Sequence, residues 1–182
     1  MKRNLIATLL LAILTITGVA QKKITKTGHA HFFSHTAVED IEANNYKVIS
    51  SINSEDGAFV VSVPMQSFEF EKALMQKHYN SPKFLDTKQF PKALFKGNIK
   101  DASNVNFSKD GKYEVVIPGK MTMHGVTKDV TGKGTIEVKG GKITASSTFN
   151  LVLADYEVAF EKGKPSSNIA KEVKVTVKFS YD

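Results

Sequence analysis

The chain has 182 residues, a formal net charge of +7 and no cysteine. This length suits one domain with a sizeable core, and the lack of cysteine excludes a disulfide-stapled scaffold and a lipidated cysteine. The mild positive charge permits attraction to an anionic surface but identifies no partner. We expect no nucleic-acid partner.

Residues 1–20 have the features of a secretory signal peptide. Lys2 and Arg3 precede an apolar run over residues 5–16, and the small residues "GVA" follow. The run is shorter than the roughly 20 residues of a membrane-spanning helix, which disfavours an uncleaved anchor. We expect cleavage after Ala20. The mature domain, residues 21–182, would then be periplasmic or secreted, with its charge lowered from +7 to +5 by the loss of Lys2 and Arg3.

Alternation of apolar and polar residues predicts strands with one buried face along most of the mature chain. A weaker strand in "ITKTGHAHFFS" is followed by "YKVISSIN" and "AFVVSV", which flank the turn "SEDG". The later segments are "KALFKGNI", "KYEVVIPGKMTM", "VTGKGTIEVKG", "KITASSTFNLVL" and "EVKVTVKFSYD". Glycine-containing turns at residues 109–111, 124–125 and 140–141 separate the later strands. About eight strands at hairpin spacing predict an all-β fold, a single closed antiparallel barrel.

One segment interrupts this pattern with helical spacing. In "SFEFEKALMQKHYN", Phe70, Leu74 and His78 recur every four residues, and Ser67 is positioned to cap the start. The following "SPKFLD" predicts a second short turn that begins at Ser81. We expect this inserted segment to cover one end of the barrel.

The predicted inner face combines apolar residues with small ones. An eight-stranded barrel either fills its interior with side chains or holds one small ligand. Small residues on the inward face favour a cavity, although glycines also permit sharp coiling or bulges. These residues are Ala93, Gly97, Gly119, Gly132, Gly134, Ala145 and Ser147.

The strand alternation and the inserted segment together predict which residues line the cavity. The predicted wall consists of Val61, Val63, Phe95, Val115, Ile117, Met121, Met123, Phe149, Leu151 and Phe179. The covering segment would add Phe68, Phe70, Leu74, Met75 and Phe84. We expect this apolar set to bind a long-chain lipid and to need no cofactor.

Two groups of residues raise the alternative of a metal-binding protein. Met121, Met123 and His124 resemble a copper site, but the alternation places the methionines inward and His124 outward, so the three cannot share one ion. His29, His31 and His35 share one parity of the first strand, and the pair His29 and His31 is suited to zinc or copper if a third ligand joins it.

Catalytic motifs are absent from the sequence. It contains no nucleophile elbow, no cysteine nucleophile, no phosphate-binding glycine loop and no histidine-carboxylate zinc motif. Asp155 in "LADYEV" is interpreted as a turn residue. We therefore predict a protein that is not an enzyme. Catalysis on a lipophilic substrate held in the cavity is retained as an alternative.

The segment over residues 72–100 is strongly basic. Its seven lysines, at positions 72, 77, 83, 88, 92, 96 and 100, accompany the single acid Asp86. We expect it to lie by the cavity mouth and to favour anionic membranes or lipid head groups.

Three segments resemble the YceI-like family of exported, lipocalin-like proteins. They are "FEFEKALMQKHYNSPKFLDTKQFPKALFKGNI", "GKMTMHGVTKDV" and the closing "DYEV…VKVTVKFS". The resemblance implies an extended barrel whose internal pocket binds polyisoprenoid or another long-chain lipid, such as an isoprenoid quinone. It implies no catalytic residues. Ala154 stands where the family is described as having an arginine. The oligomeric state stays open between a monomer and a homodimer.

Overall fold

The computed structural model of the protein describes residues 22–36, 40–158, 160–161, 164–165 and 170–182, so the predicted signal peptide lies outside the described residues. The first strands are β1 (Lys22–His35), β2 (Asp40–Asn53), β3 (Ala58–Pro64), β4 (Lys92–Asn98) and β5 (Gly111–Met123). The later ones are β6 (Val126–Lys139), β7 (Lys142–Val152), β8 (Phe160–Glu161), β9 (Lys164–Pro165) and β10 (Glu172–Tyr181). The one described α-helix is α1 (Ala73–Asn80), and 3₁₀ turns form at Met65–Ser67, Ala102–Asn104 and Leu153–Tyr156.

Eight antiparallel strands close into one barrel, which confirms the predicted fold. Their order around the barrel is β1-β10-β7-β6-β5-β4-β3-β2, while β8 and β9 form a separate two-stranded hairpin. Consecutive strands are neighbours from β1 to β7, and β10 closes the ring between β7 and β1. The alternating pattern therefore places one face of every barrel strand toward a common interior.

Two tight turns connect β6 to its neighbours β5 and β7. His124 and Gly125 have φ angles of 50° and 78°, and Gly140 and Gly141 have 57° and 80°. Two consecutive residues with positive φ match the turn that joins twisted antiparallel strands most tightly. The β5–β6 ladder then runs without interruption from Met123↔Val126 to Gly111↔Val138.

One end of the barrel is filled by packed side chains. The largest of them, each at most 2% exposed, are Ile52, Ile136, Ile143, Phe179 and Tyr181. The Ser50 hydroxyl donates its one hydrogen to the Val60 carbonyl oxygen at 3.1 Å. In the bond between Ser50 and Tyr181, at 2.6 Å, the Tyr181 hydroxyl is therefore the donor and Ser50 Oγ the acceptor. This bond satisfies the tyrosine oxygen inside the apolar end.

The covering segment is less helical than its spacing predicts, so the prediction of a helix starting at Ser67 is wrong. The helix α1 begins only at Ala73. The chain before it is extended, because Glu69 exchanges two backbone hydrogen bonds with Asn44 of β2, at 2.8 and 3.1 Å. The predicted turn at Ser81 does form, with the amides of Phe84 and Asp86 donating to the Ser81 carbonyl oxygen.

The small residues of the inner face have two different roles. Ala93, Gly132, Gly134, Ala145 and Ser147 border the internal cavity, whereas Gly97 and Gly119 do not. Gly97 and Gly119 are paired across β4 and β5, and a Cβ on Gly119 would lie 2.7 Å from the Gly97 Cα and overlap the Lys96 carbonyl oxygen. These two glycines permit close backbone approach, the alternative role for inward glycines. Gly134 has both roles, because a Cβ there would overlap the Ser146 carbonyl oxygen.

A matched pair of alanine substitutions separates these roles. Gly119→Ala should lower the free energy of unfolding by about 1–3 kcal/mol, because the new methyl group meets backbone that cannot move away. Gly132→Ala should leave stability unchanged or raise it by about 0.4–1 kcal/mol, because it restricts the unfolded chain. Its Cβ would come no closer than 3.5 Å to any neighbour. Urea unfolding of both variants checks this, and equal destabilisation would contradict the assignment.

Candidate ligand-binding site

The barrel contains an apolar cavity of about 710 Å³. Its walls come from residues of all eight barrel strands, and its covered end comes from the 3₁₀ turn Met65–Ser67, α1 and the residues around them. The side chains that project into it are mainly Val, Ile, Leu, Met and Phe. A cavity of this size and chemistry falls within the range of small-molecule sites.

The structure brings almost all predicted site residues to this cavity. All ten predicted wall residues line it, from Val61 on β3 to Phe179 on β10. Phe68, Phe70, Met75 and Phe84 line it from the covering segment. Of this group, Phe149 is the most open to solvent, with 38% of its surface exposed.

Leu74 does not line the cavity, contrary to the prediction. Its side chain is 62% exposed. The predicted stripe joined Phe70 and Leu74 on one helical face, but Phe70 precedes α1 and lies in extended chain. The face that α1 turns to the cavity carries Met75, His78 and Tyr79, which are spaced as i, i+3 and i+4.

Tyr79 is the centre of an aromatic cluster at the covered end. Its ring centroid lies 5.0 Å from Phe70, 5.7 Å from Phe68, 6.0 Å from Phe32 and 6.3 Å from Phe84. Burial raises the pKa of the Tyr79 hydroxyl, which keeps it neutral. Within the described part of the chain this hydroxyl has no hydrogen-bond partner. The cluster closes this end by ring packing.

Several lining residues were not selected from the sequence. Val173, Val175 and Val177 of β10 line the cavity beside Phe179, and they share its parity in "EVKVTVKFSYD". The same alternation could therefore have found them. Tyr79 was missed because the predicted helical stripe was centred on Leu74, whereas the side of α1 that lines the cavity carries Met75, His78 and Tyr79.

The three N-terminal histidines face different partners on β2. His29 Nε2 lies 2.9 Å from Asn44 Oδ1, and its ring stacks on Tyr46 at 4.6 Å. His31 Nε2 pairs with Glu42 Oε2 at 3.1 Å, and His35 Nδ1 with Asp40 Oδ1 at 2.6 Å. Among the described residues, no group of three or more His, Cys, Asp or Glu side chains is arranged to hold a metal ion.

The candidate copper residues separate as the alternation predicts. Met121 and Met123 line the cavity. His124 lies in the β5–β6 turn, where its Nδ1–H donates to the Tyr156 carbonyl oxygen at 3.1 Å and its ring meets Phe90 edge-on at 4.6 Å. His124 thus attaches the 3₁₀ turn Leu153–Tyr156 to the barrel.

Asp155 lies in that 3₁₀ turn, as expected for a turn residue, and is exposed. Burial, and secondarily the negative charge of Asp155, raises the pKa of the Tyr156 hydroxyl. The neighbouring Ala154 leaves this turn without the positive charge that the family resemblance implied there.

Comparison with known proteins identifies the family. A family model, the YceI-like domain, matches residues 14–181. The chain belongs to the YceI-like family. It is 26% identical over 190 residues to Protein YceI of Salmonella newport, an alignment that covers 93% of this chain and 94% of the relative.

Solved structures share this YceI-like fold. A polyisoprenoid-binding domain from Saccharophagus degradans superposes with a TM-score of 0.74 at 13% identity, covering 90% of this chain and 99% of that one. Burkholderia cenocepacia BcnA gives a TM-score of 0.65 at 18% identity, covering 84% and 95%. Campylobacter jejuni YceI protein gives 0.61 at 15%, covering 81% and 88%.

The described part of this YceI-like chain was also searched for membrane-spanning helices. None of its helices has the length and apolar character needed to cross a membrane.

Proposed function

We propose that this YceI-like protein is an exported lipid carrier that holds one long apolar chain in its barrel. The observation that carries the proposal is the apolar cavity of about 710 Å³, with walls of aliphatic and aromatic side chains. The ligand class is a polyisoprenoid, an isoprenoid quinone or a fatty-acid-like chain. The polyisoprenoid-binding domain that shares the fold supports the first of these.

Apolar burial is sufficient to hold such a ligand. Each methylene group removed from water contributes about 0.8 kcal/mol, so a long chain gains several kcal/mol beyond the cost of ordering it. The cavity supplies this burial along its whole length and requires no specific charge. Binding rather than catalysis is the activity that such a lining serves, and the family assignment supports it.

Export is the second part of the proposal. The charged start, the apolar run and the small residues within the first 20 positions support cleavage after Ala20 and a periplasmic or secreted location. The intact mass of the protein purified from the cell envelope measures directly whether cleavage has occurred after Ala20.

Placing a ring inside the cavity should remove ligand binding. At Gly132 an added Cβ would lie 3.5 Å from the Ile117 carbonyl oxygen and 3.9 Å from Phe95 Cζ, which leaves room to build a side chain. Gly132→Phe should weaken binding of a long-chain conjugated-polyene fatty acid by at least about tenfold, the cost of displacing two methylene groups.

The matched control for that variant is Val116→Phe, which adds a ring to an outward position on β5 that is already 38% exposed. It should bind the probe like the wild type. Fluorescence titration, after circular dichroism has verified folding, measures both affinities. Equal affinity in Gly132→Phe and the wild type would show that the probe does not occupy the cavity.

The basic segment supports a further partner, the anionic membrane surface. Lys77 on α1 and Lys92 at the start of β4 lie at the covered end and are exposed. We expect the mature protein to co-sediment with vesicles containing anionic lipid and to be released by salt, because mobile ions screen exposed charges. The double variant Lys77→Gln/Lys92→Gln should bind less than Lys139→Gln/Lys142→Gln, which alters the opposite end. Equal binding of the two would refute this contact.

A further inference from the structure

The barrel wall has a slit between β6 and β7. These strands contain 14 and 11 residues, but they pair only from Thr135↔Ser146 to Lys139↔Lys142, next to their turn. On its other side β6 is paired with β5 along its whole length, and β7 is paired with β10 from Val152 to Ile143. Both edges of the slit are thus held firmly by the neighbouring strand.

The cavity reaches the outside through this slit. In a continuous sheet only every second residue faces inward. On β3 and β10 the lining residues accordingly alternate, and β4 contributes only a short consecutive run at residues 93–95. On β6 and β7, by contrast, the cavity is bordered by every residue in the ranges 130–136 and 145–152. Consecutive residues border a cavity where the edge of the sheet itself is exposed to it.

Both ends of the barrel are blocked by side chains. At one end Ile52, Ile143 and Tyr181 are packed and do not border the cavity. At the other end the aromatic cluster around Tyr79 covers it. A ligand that enters at either end of the barrel would have to displace packed side chains. A ligand that enters at the slit meets only the edges of two strands.

Among the described residues, few contacts join the edges of the slit. The Ser147 hydroxyl donates to the Lys133 carbonyl oxygen at 2.6 Å, just beyond the last ladder pair. Toward the covered end, the His124–Tyr156 hydrogen bond attaches the 3₁₀ turn after β7 to the turn before β6. The slit therefore has a fixed point at each end and no ladder between them.

The two edges of the slit carry polar residues on the outer surface of the barrel and apolar residues on the inner surface. Thr131 and Lys133 of β6 and Thr148 and Asn150 of β7 are exposed on the outer surface. Behind them lie the apolar side chains of the cavity, such as Val130 and Leu151. This order of surfaces suits an amphiphile, whose apolar chain passes inward while its polar end stays with water.

We propose that the slit between β6 and β7 is the portal through which an amphiphilic long-chain ligand enters and leaves the cavity. The proposal rests on the proposed lipid-binding function and adds the route of exchange. A portal governs the rates of binding and release. It leaves the affinity unchanged, since the bound state is the same whether the route is wide or narrow.

A reversible bridge across the slit tests this. The chain contains no cysteine. Thr131 and Asn150 would face each other if the β6–β7 register continued past Thr135↔Ser146, and both are exposed. In Thr131→Cys/Asn150→Cys, bifunctional methanethiosulfonates of increasing length span the two thiols, while methyl methanethiosulfonate caps them without a bridge. Stopped-flow fluorescence with the polyene fatty acid then measures both rate constants.

The bridge should slow association and dissociation together by about tenfold or more, with the dissociation constant unchanged within about threefold. Reducing agent should restore both rates. Ile49→Cys/Ser62→Cys is the matched control, because these residues are paired on the opposite side of the barrel, where the β2–β3 wall is already closed. Its bridge should change neither rate.

Unchanged rates after complete bridging of the β6–β7 pair would overturn the portal, as would equal slowing in the β2–β3 control. Absence of probe binding by the unmodified wild type would instead overturn the proposed function, and with it the portal.

Discussion

The inward side chains of the closed barrel do not meet at its centre, and the cavity depends on this. Alternation fixes which residues face inward, and closure at eight strands fixes how far apart opposite walls lie. Aliphatic residues such as Val61 and Ile117 cover the walls but do not fill the space between them. Small residues such as Gly132 and Ala145 widen it. The cavity therefore follows from the same pattern that forms the strands.

The two ends of the barrel are closed by different means. Beside the β6–β7 turn, aliphatic packing and the Tyr181–Ser50 hydrogen bond make a solid core. At the other end, an inserted segment supplies aromatic rings that pack on Phe32. The first arrangement stabilises the barrel, and the second keeps water from an apolar space that side chains do not fill. The wall has its slit between β6 and β7, where the ladder stops after five pairs although the strands contain 14 and 11 residues.

Strand alternation predicted most of the residues that line the cavity, because in a strand every second side chain points to the same face of the sheet. Val115, Ile117 and Met121 lie where the pattern places them. The inserted segment was harder to predict, because backbone pairing of Glu69 with Asn44 overrides the helical spacing and moves Leu74 to the outside. The role of Gly119 also required the structure, since close approach to the Lys96 carbonyl oxygen depends on the partner strand. The slit depends on where a ladder ends, and neither β6 nor β7 signals this in its own sequence.

The most direct test of the account is mass spectrometry of an organic extract from the mature protein, purified from the envelope of cells that export it. The Gly132→Phe variant, purified in parallel, provides the reference for adventitious lipid. A cavity built to hold one chain predicts a long-chain apolar compound in the wild-type extract, near one molecule per protein and strongly depleted in the variant. A wild-type extract no richer in such compounds than that of the variant would contradict the account.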